Sequence, residues 1–182
     1  MAVITVNPFT SIDKIQEYLK KSGNTIKFKG TFNLTKLLYL YSNTIIDLSE
    51  AVLIRKHPKY VFFTYCNSST TKYNGQHDIQ IIGGKIIGNG YKGVSNIISL
   101  AHAKNIAIKG LTIENNVGSH TIEINGCNNV TIEKCIFDKN IIAKGGEFRE
   151  CIQIDFANYQ ALTYVSSKSA KCYDDTHCSD IF

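Results

Sequence analysis

From residue 78 onward the chain repeats itself. DIQIIGGKIIGN (78–89), NIAIKGLTIENN (105–116) and NVTIEKCIFDKN (129–140) align without a gap, 27 and then 24 residues apart. Each unit reads as a strand, a two-residue corner and a second strand. NIISLA (96–101), HTIEIN (120–125) and ECIQID (150–155) align as a third strand, and the closing SDIF (179–182) matches the start of another unit. Ile81, Ile108 and Ile132 occupy equivalent inward positions that one turn of three short strands cannot bury. The turns must therefore stack, each rising by about one strand spacing of ~4.8 Å, and the expected fold is an all-β parallel β-helix of three strands and about 24 residues per turn. The corners follow the same columns: Asp78, Asn105, Asn129 and Asp180 share one position, and Asn89, Asn116 and Asn140 another. Such columns can hydrogen-bond along the stack.

Upstream of the repeats, TSIDKIQEYLKKSG predicts an amphipathic helix of about three turns. Thr10 and Asp13 form a variant capping box, Ile12, Ile15 and Leu19 form the apolar stripe, and Gly23 stops the helix. It would cover the open edge of the first turn and block chain-to-chain pairing. TIKF (25–28), TIIDL (44–48), AVLI (51–54) and YVFFTY (60–65) read as strands. The expected organisation is an N-terminal segment with a capping α-helix over 1–23, then β-helix over 24–182. Composition agrees with a single β-branched core: 43% of the 182 residues are hydrophobic, tryptophan is absent, and only Pro8 and Pro58 interrupt the chain.

The net charge of +5 comes from scattered lysines, and only Arg55 and Arg149 offer planar bidentate contacts. No basic stripe or aromatic-basic motif accompanies them, so nucleic acid is not an expected partner. An acidic polymer would still be attracted. No run approaches the roughly 18 apolar residues of a membrane span. MAVITVNPF lacks a basic n-region and a long apolar h-region, so the chain is expected to be made without a recognisable signal peptide and first folded in a reducing compartment. None of the six cysteines has zinc-site spacing; most read as small buried hydrophobes, with a local Cys172–Cys178 bridge as the alternative.

Strand periodicity assigns the outward face of the third-strand column. With Ile122, Ile124, Ile152 and Ile154 pointing in, Glu123, Asn125, Gln153 and Asp155 point out, and Ser99 lies in the Glu123–Gln153 column. Glu123 and Asp155 differ by one turn and two residues, a Cα separation of about 8 Å. Paired carboxylates at such spacing can split a glycosidic bond, one protonating the leaving oxygen while the other activates water or attacks. His120, at the strand's edge over Glu150, is a candidate proton-transfer group or a hydrogen-bonded corner residue. YDDTHC (173–178) adds Asp174 and Asp175, which join this face if their loop folds back across it and are otherwise solvated turn residues. The candidate catalytic residues are Glu123, Asp155 and His120. Gln153, Asn125, Ser99, Asp174, Asp175 and Arg149 are the candidate substrate-binding residues.

The N-[IV]-x-I-x-x-x-[TI]-[IF] units, together with DKIQEYLKKSGNTIKFKGTF and SNTIIDLSEAVLIRK, resemble the pectin-lyase-like right-handed β-helix superfamily. They are most similar to its members in tail spikes and tail-associated proteins of phages and prophages of Gram-positive bacteria. The resemblance implies a right-handed helix and action on, or binding of, a cell-surface or capsular polysaccharide by a protein of the virion tail or extracellular space. A hydrolase would need no cofactor. A lyase would want calcium and a base, and Arg149 is the only arginine near the face. Polygalacturonase-type members carry NTD, DD and GHG motifs, of which only Asp174–Asp175 supplies a DD here. The opposing class is a non-catalytic glycan-binding or structural rod. The sequence stops at Phe182 inside an expected strand, so either further turns follow in a longer parent, the favoured case, or a partner covers this edge. A longer parent of the resembled type would also carry a trimerising region of the kind found in phage spikes.

Overall fold

The computed structural model describes residues 2–90, 96–141, 150–158 and 172–182. Strand β1 (Ala2–Val6) precedes helix α1 (Ile12–Leu19), and the first turn follows as β2 (Asn24–Leu34) and β3 (Leu38–Leu40). The second turn is β4 (Thr44–Arg55) and β5 (Phe62–Thr64), and the third is β6 (His77–Ile82), β7 (Lys85–Ile87) and β8 (Ile98–Ala101). Then come β9 (Lys104–Lys109), β10 (Thr112–Glu114) and β11 (Ile122–Asn125), next β12 (Asn128–Glu133), β13 (Ile136–Asp138) and β14 (Ile152–Asp155), and finally β15 (Ser179–Ile181). All pairings are parallel among these strands. They give a β-solenoid of about six turns, as the repeats require.

Equivalent strands of successive turns stack. β6, β9, β12 and β15 form one column, β7, β10 and β13 a second, and β3, β5, β8, β11 and β14 a third, sheet B. β2 and β4 are long because they run through a corner: the start of β4 pairs with β6 and its end with β7. TIIDL and AVLI are thus one bent strand, where the sequence suggested two. At the corner before β7, a Cβ on Gly84 would stand 2.1 Å from the Leu48 carbonyl oxygen, so the turn closes only around a bare Cα.

The inward ladder is aliphatic. Ile26, Ile46, Ile81, Ile108 and Ile132 are successive register partners, and the first four are fully buried. Each contributes roughly 1.5–3 kcal/mol of burial. Ile132 and Ile152 are half-buried, and Ile154, although inward by register, is 48% exposed because it lies on the last strand of its column.

The polar corner columns have a backbone cause as well as a ladder. Asp78, Asn105, Asn129 and Asp180 all adopt φ of 53–55°, the left-handed region in which Asn and Asp are the best-tolerated side chains after glycine. Asn129 donates to Asn105 Oδ1, and Asn105 to Asp78 Oδ1, both at 2.9 Å.

The N-terminal cap differs in detail from expectation. Ser11, not Thr10, caps α1, accepting from Lys14 N–H at 3.2 Å; Thr10 is used in the preceding turn with Asn7. The helix spans 8 residues, just over two turns, and buries Ile15 and Leu19. It packs against both strands of the first turn, β2 and β3, as a cap should, while the hydrogen-bonding edge of β2 is paired by β1, a strand the repeat pattern did not reveal. Gln16 of α1 hydrogen-bonds both the N–H (2.8 Å) and the C=O (3.0 Å) of Tyr39 in β3, acting as a surrogate strand residue. Arg55 is fully buried rather than presented to a ligand, with Nε donating to Gly88 O at 3.0 Å and Nη2 to Asn116 Oδ1 at 3.3 Å. No helix among the described residues is long and apolar enough to cross a membrane.

Candidate functional site

Sheet B carries the candidate site because its outward columns mix aromatic and polar residues. Register aligns Tyr39, Phe63, Ser99, Glu123 and Gln153 in one column, and sets Ala101, Asn125 and Asp155 in the next. The periodicity therefore orients these strands as expected. What it does not reveal is burial. Glu123 faces outward by register yet is 4% exposed, and Ser99 and Asn125 are also buried. The outer face of this sheet carries its own apolar cluster, in which Tyr60, Phe63, Cys66, Ala101, Ala157 and Cys172 pack together.

Glu123 is held by named donors. Asn96 Nδ2 gives its Oε2 a 2.5 Å hydrogen bond and Ser99 Oγ a 3.1 Å one, while Ser119 Oγ donates to Asn96 Oδ1 at 2.5 Å. Burial pushes the carboxyl up to about 7, against the hydrogen bonds from Ser99, Asn125 and Asn96, and the nearby Asp155 carboxylate adds to the rise. Asn125 Oδ1 is buried without a hydrogen-bond donor among the described residues, an acceptor worth roughly 1–3 kcal/mol to whatever satisfies it. Asp155, half-buried, receives Gln153 Nε2 at 2.8 Å. One turn apart, these groups form a compact polar set: a neutralisable acid, a second carboxylate, and amides that orient both.

The remaining candidates lie around this set. His120 is buried at the corner before β11, with Nδ1 3.4 Å from Glu150 O and 3.6 Å from Glu150 Oε2, the stacking read from the sequence. The 172–178 segment does fold back. Asp174 receives Lys72 N–H at 2.6 Å and the Thr176 hydroxyl at 2.5 Å, and stands 3.8 Å from buried His102. Burial raises the Asp174 carboxyl, but hydrogen bonds from Thr176 and Lys72 and the neighbouring His102 outweigh it and hold the group below its ordinary value. Its recorded partners are therefore Lys72, Thr176 and His102, beside the corner after β8, and not the Glu123 set. Asp175 is exposed in the left-handed region at φ 61°. Arg149 lies outside the described residues. Among the described residues, no three His, Cys, Asp or Glu side chains converge to hold a metal ion.

Sequence reasoning missed two contributors. Asn96 opens the third-strand segment NIISLA, just before β8, where the repeat gives it no role beyond alignment, and its partner Glu123 lies 27 residues on. Tyr39, Tyr41 and Tyr65 form an aromatic group at the other end of the sheet: Tyr41 stacks on Tyr65 with centroids 5.2 Å apart, and Tyr39 meets Tyr65 edge-on at 5.8 Å. The alternation in LYLYS and FFTYC was the available signal for these outward rings.

No family model and no curated protein matches the sequence. Solved structures do match in fold. One crystal structure of PfbA, a surface adhesin of Streptococcus pneumoniae, superposes with a TM-score of 0.75 at 20% identity, covering 96% of this chain and 45% of that one. A second structure of the same surface protein and adhesin gives 0.69 at 20% identity, covering 93% and 47%. This chain thus spans less than half the length of the adhesin chains it matches, and what the likeness establishes is the parallel β-helix itself.

Proposed function

We propose that the outer face of sheet B is a polysaccharide site and that the protein acts on a cell-surface or capsular glycan as a glycoside hydrolase. Glu123 is the general acid and Asp155 the second carboxylate. The observation that carries this reading is the buried Glu123 carboxyl, held by Asn96 and Ser99 one turn from Asp155 and pushed up to about 7. An acid that keeps its proton near neutral pH can protonate a glycosidic oxygen, while a partner carboxylate activates water or attacks the sugar. Asn125 Oδ1, without a donor among the described residues, suits a sugar hydroxyl, which can donate to it. The Tyr41–Tyr65 pair offers apolar ring faces farther along the same sheet. The setting we propose is the cell surface or a virion tail, consistent with a fold shared with a surface adhesin.

A second reading, glycan binding without cleavage, is favoured by one observation: Glu123 is only 4% exposed, so a substrate reaches it only if the outer face opens. The two readings separate on a panel of bacterial wall and capsular polysaccharides, assayed for binding and for new reducing ends. Hydrolysis by the native chain, abolished in Glu123→Gln and Asp155→Asn with binding retained, supports the enzyme. Binding that yields neither reducing ends nor unsaturated products, and that persists in both variants, removes the catalytic assignment.

A further inference from the structure

None of the six cysteines is in a disulfide, yet four of them meet in two pairs that the sequence spacing did not suggest. Cys172 is not bonded to Cys178. Its sulfur accepts a hydrogen bond from the Cys66 side chain, and both thiols, 0% and 6% exposed, sit in the outer apolar cluster on sheet B. Cys178 instead lies against Cys127, whose N–H donates to Cys178 Sγ at 3.3 Å.

We propose that Cys66 and Cys172 are a disulfide-forming pair, which a small-molecule disulfide such as oxidised glutathione converts into a covalent bond clamping the 172–178 segment onto the outer face of sheet B. The backbone already holds the two residues in place. The two ring nitrogens of buried His102 lie 2.5 Å from Cys172 O and 2.7 Å from Lys72 O. Lys72 N–H reaches Asp174, and the Tyr73 hydroxyl donates to His177 O at 2.9 Å. The loop after Cys66 and the segment after Cys172 are therefore stapled together by contacts independent of sulfur, and oxidation adds a bond where the chain is already ordered.

The two pairs differ chemically. In Cys172 the hydrogen bond from Cys66 is the largest influence and lowers the thiol from its ordinary value, which raises the thiolate fraction available to attack. Burial pushes the Cys127 thiol far up, and the Cys178 thiol up as well; Cys127 Sγ lies 3.4 Å from Asn125 O and Cys178 Sγ 3.2 Å from Asp155 O. Both thiols of the second pair are therefore poorer in thiolate and slower to attack a disulfide.

The exchange balances. Where the outer cluster loosens enough to admit glutathione disulfide with Cys66 still beside Cys172, the Cys172 thiolate attacks one of its sulfurs, forming a mixed disulfide and releasing one glutathione. Cys66 gives up its proton and attacks the Cys172 sulfur, releasing the second glutathione. Two protein thiols become one disulfide as one glutathione disulfide becomes two thiols.

The test is to incubate the whole chain with oxidised glutathione, alkylate the remaining thiols, and map peptides without reductant. The expected product is a Cys66–Cys172 linked peptide, lost on reduction, with Cys127 and Cys178 recovered alkylated. Cys66→Ser should instead trap glutathione on Cys172, and the rise in thermal midpoint on oxidation of the native chain should be absent from it. A folded protein that keeps both Cys66 and Cys172 as thiols under these conditions overturns the proposal, as does a Cys172–Cys178 or Cys127–Cys178 bridge in its place.

Discussion

Asn96 donates to Glu123 across one turn of the solenoid at 2.5 Å, and that bond ties the site's acid to the loop before β8 rather than to its own strand. The donor stabilises the ionised form, yet burial wins and the carboxyl is raised to about 7.

This balance sets a pH dependence with a definite sign. Between the unfolded carboxyl's ordinary value, about 4.5, and about 7, the folded chain holds a proton on Glu123 that the unfolded chain releases. The contribution of Glu123 to stability is therefore largest at acid pH and falls as pH rises through that window, by up to about 3 kcal/mol. His57 works in the opposite direction. Burial, then the Arg55 charge, pushes its imidazole down to about 4, so stability is lost as pH falls from about 6.5. The two trends offset each other in the native chain, and the difference from Glu123→Gln isolates the first. Urea denaturation should find the Gln variant similar to native at pH 4 and more stable by up to about 3 kcal/mol at pH 8. Parallel stability curves for the two proteins across pH 4–8 would contradict the burial of an ionisable Glu123.

Architecture was legible because a repeat converts one local pattern into a long-range one. Once Ile81, Ile108 and Ile132 share a column, every neighbouring register follows, including Glu123 against Gln153 and Asn125 against Asp155. Burial of that outward face was not legible, because the apolar cluster on it draws in Cys66, Ala157 and Cys172, which stand outside the strands read from the sequence. The helix cap failed by one residue for a local reason: Ser11 and Thr10 are both good caps, and Thr10 is engaged with Asn7. The fold-back of Asp174 onto Lys72 joins residues 102 apart, and no spacing rule reports such a contact.

The corner ladder separates backbone strain from side-chain bonding. Asn105 sits at φ 55° and bonds both Asp78 and Asn129. Asn105→Gly loses two exposed hydrogen bonds but relaxes the backbone, whereas Asn105→Ala loses the same bonds and keeps a Cβ in the left-handed region, at a cost of about 1–2 kcal/mol. Equilibrium unfolding should rank native above Gly and Gly above Ala, with about 1 kcal/mol between the two variants. An Ala variant as stable as the Gly variant would mean that the corner does not hold its left-handed backbone.

The edge of sheet B offers the last test. Gln16 satisfies both backbone groups of Tyr39, so Gln16→Ala leaves an N–H and a C=O of the edge strand β3 without their partners and opens a template for another chain. A loss of about 1–3 kcal/mol is expected, together with concentration-dependent association in light scattering that the native chain lacks. Gln16→Glu keeps an acceptor for the Tyr39 N–H but sets a carboxylate oxygen against the Tyr39 carbonyl. Its folded form favours the protonated acid, so the stability of this variant should recover as pH falls through the carboxylate range, when a carboxyl O–H can donate as the amide does. If the Glu variant instead weakens with falling pH while the Ala variant stays monomeric and fully stable, Gln16 is a surface residue and the sheet edge is protected by something else.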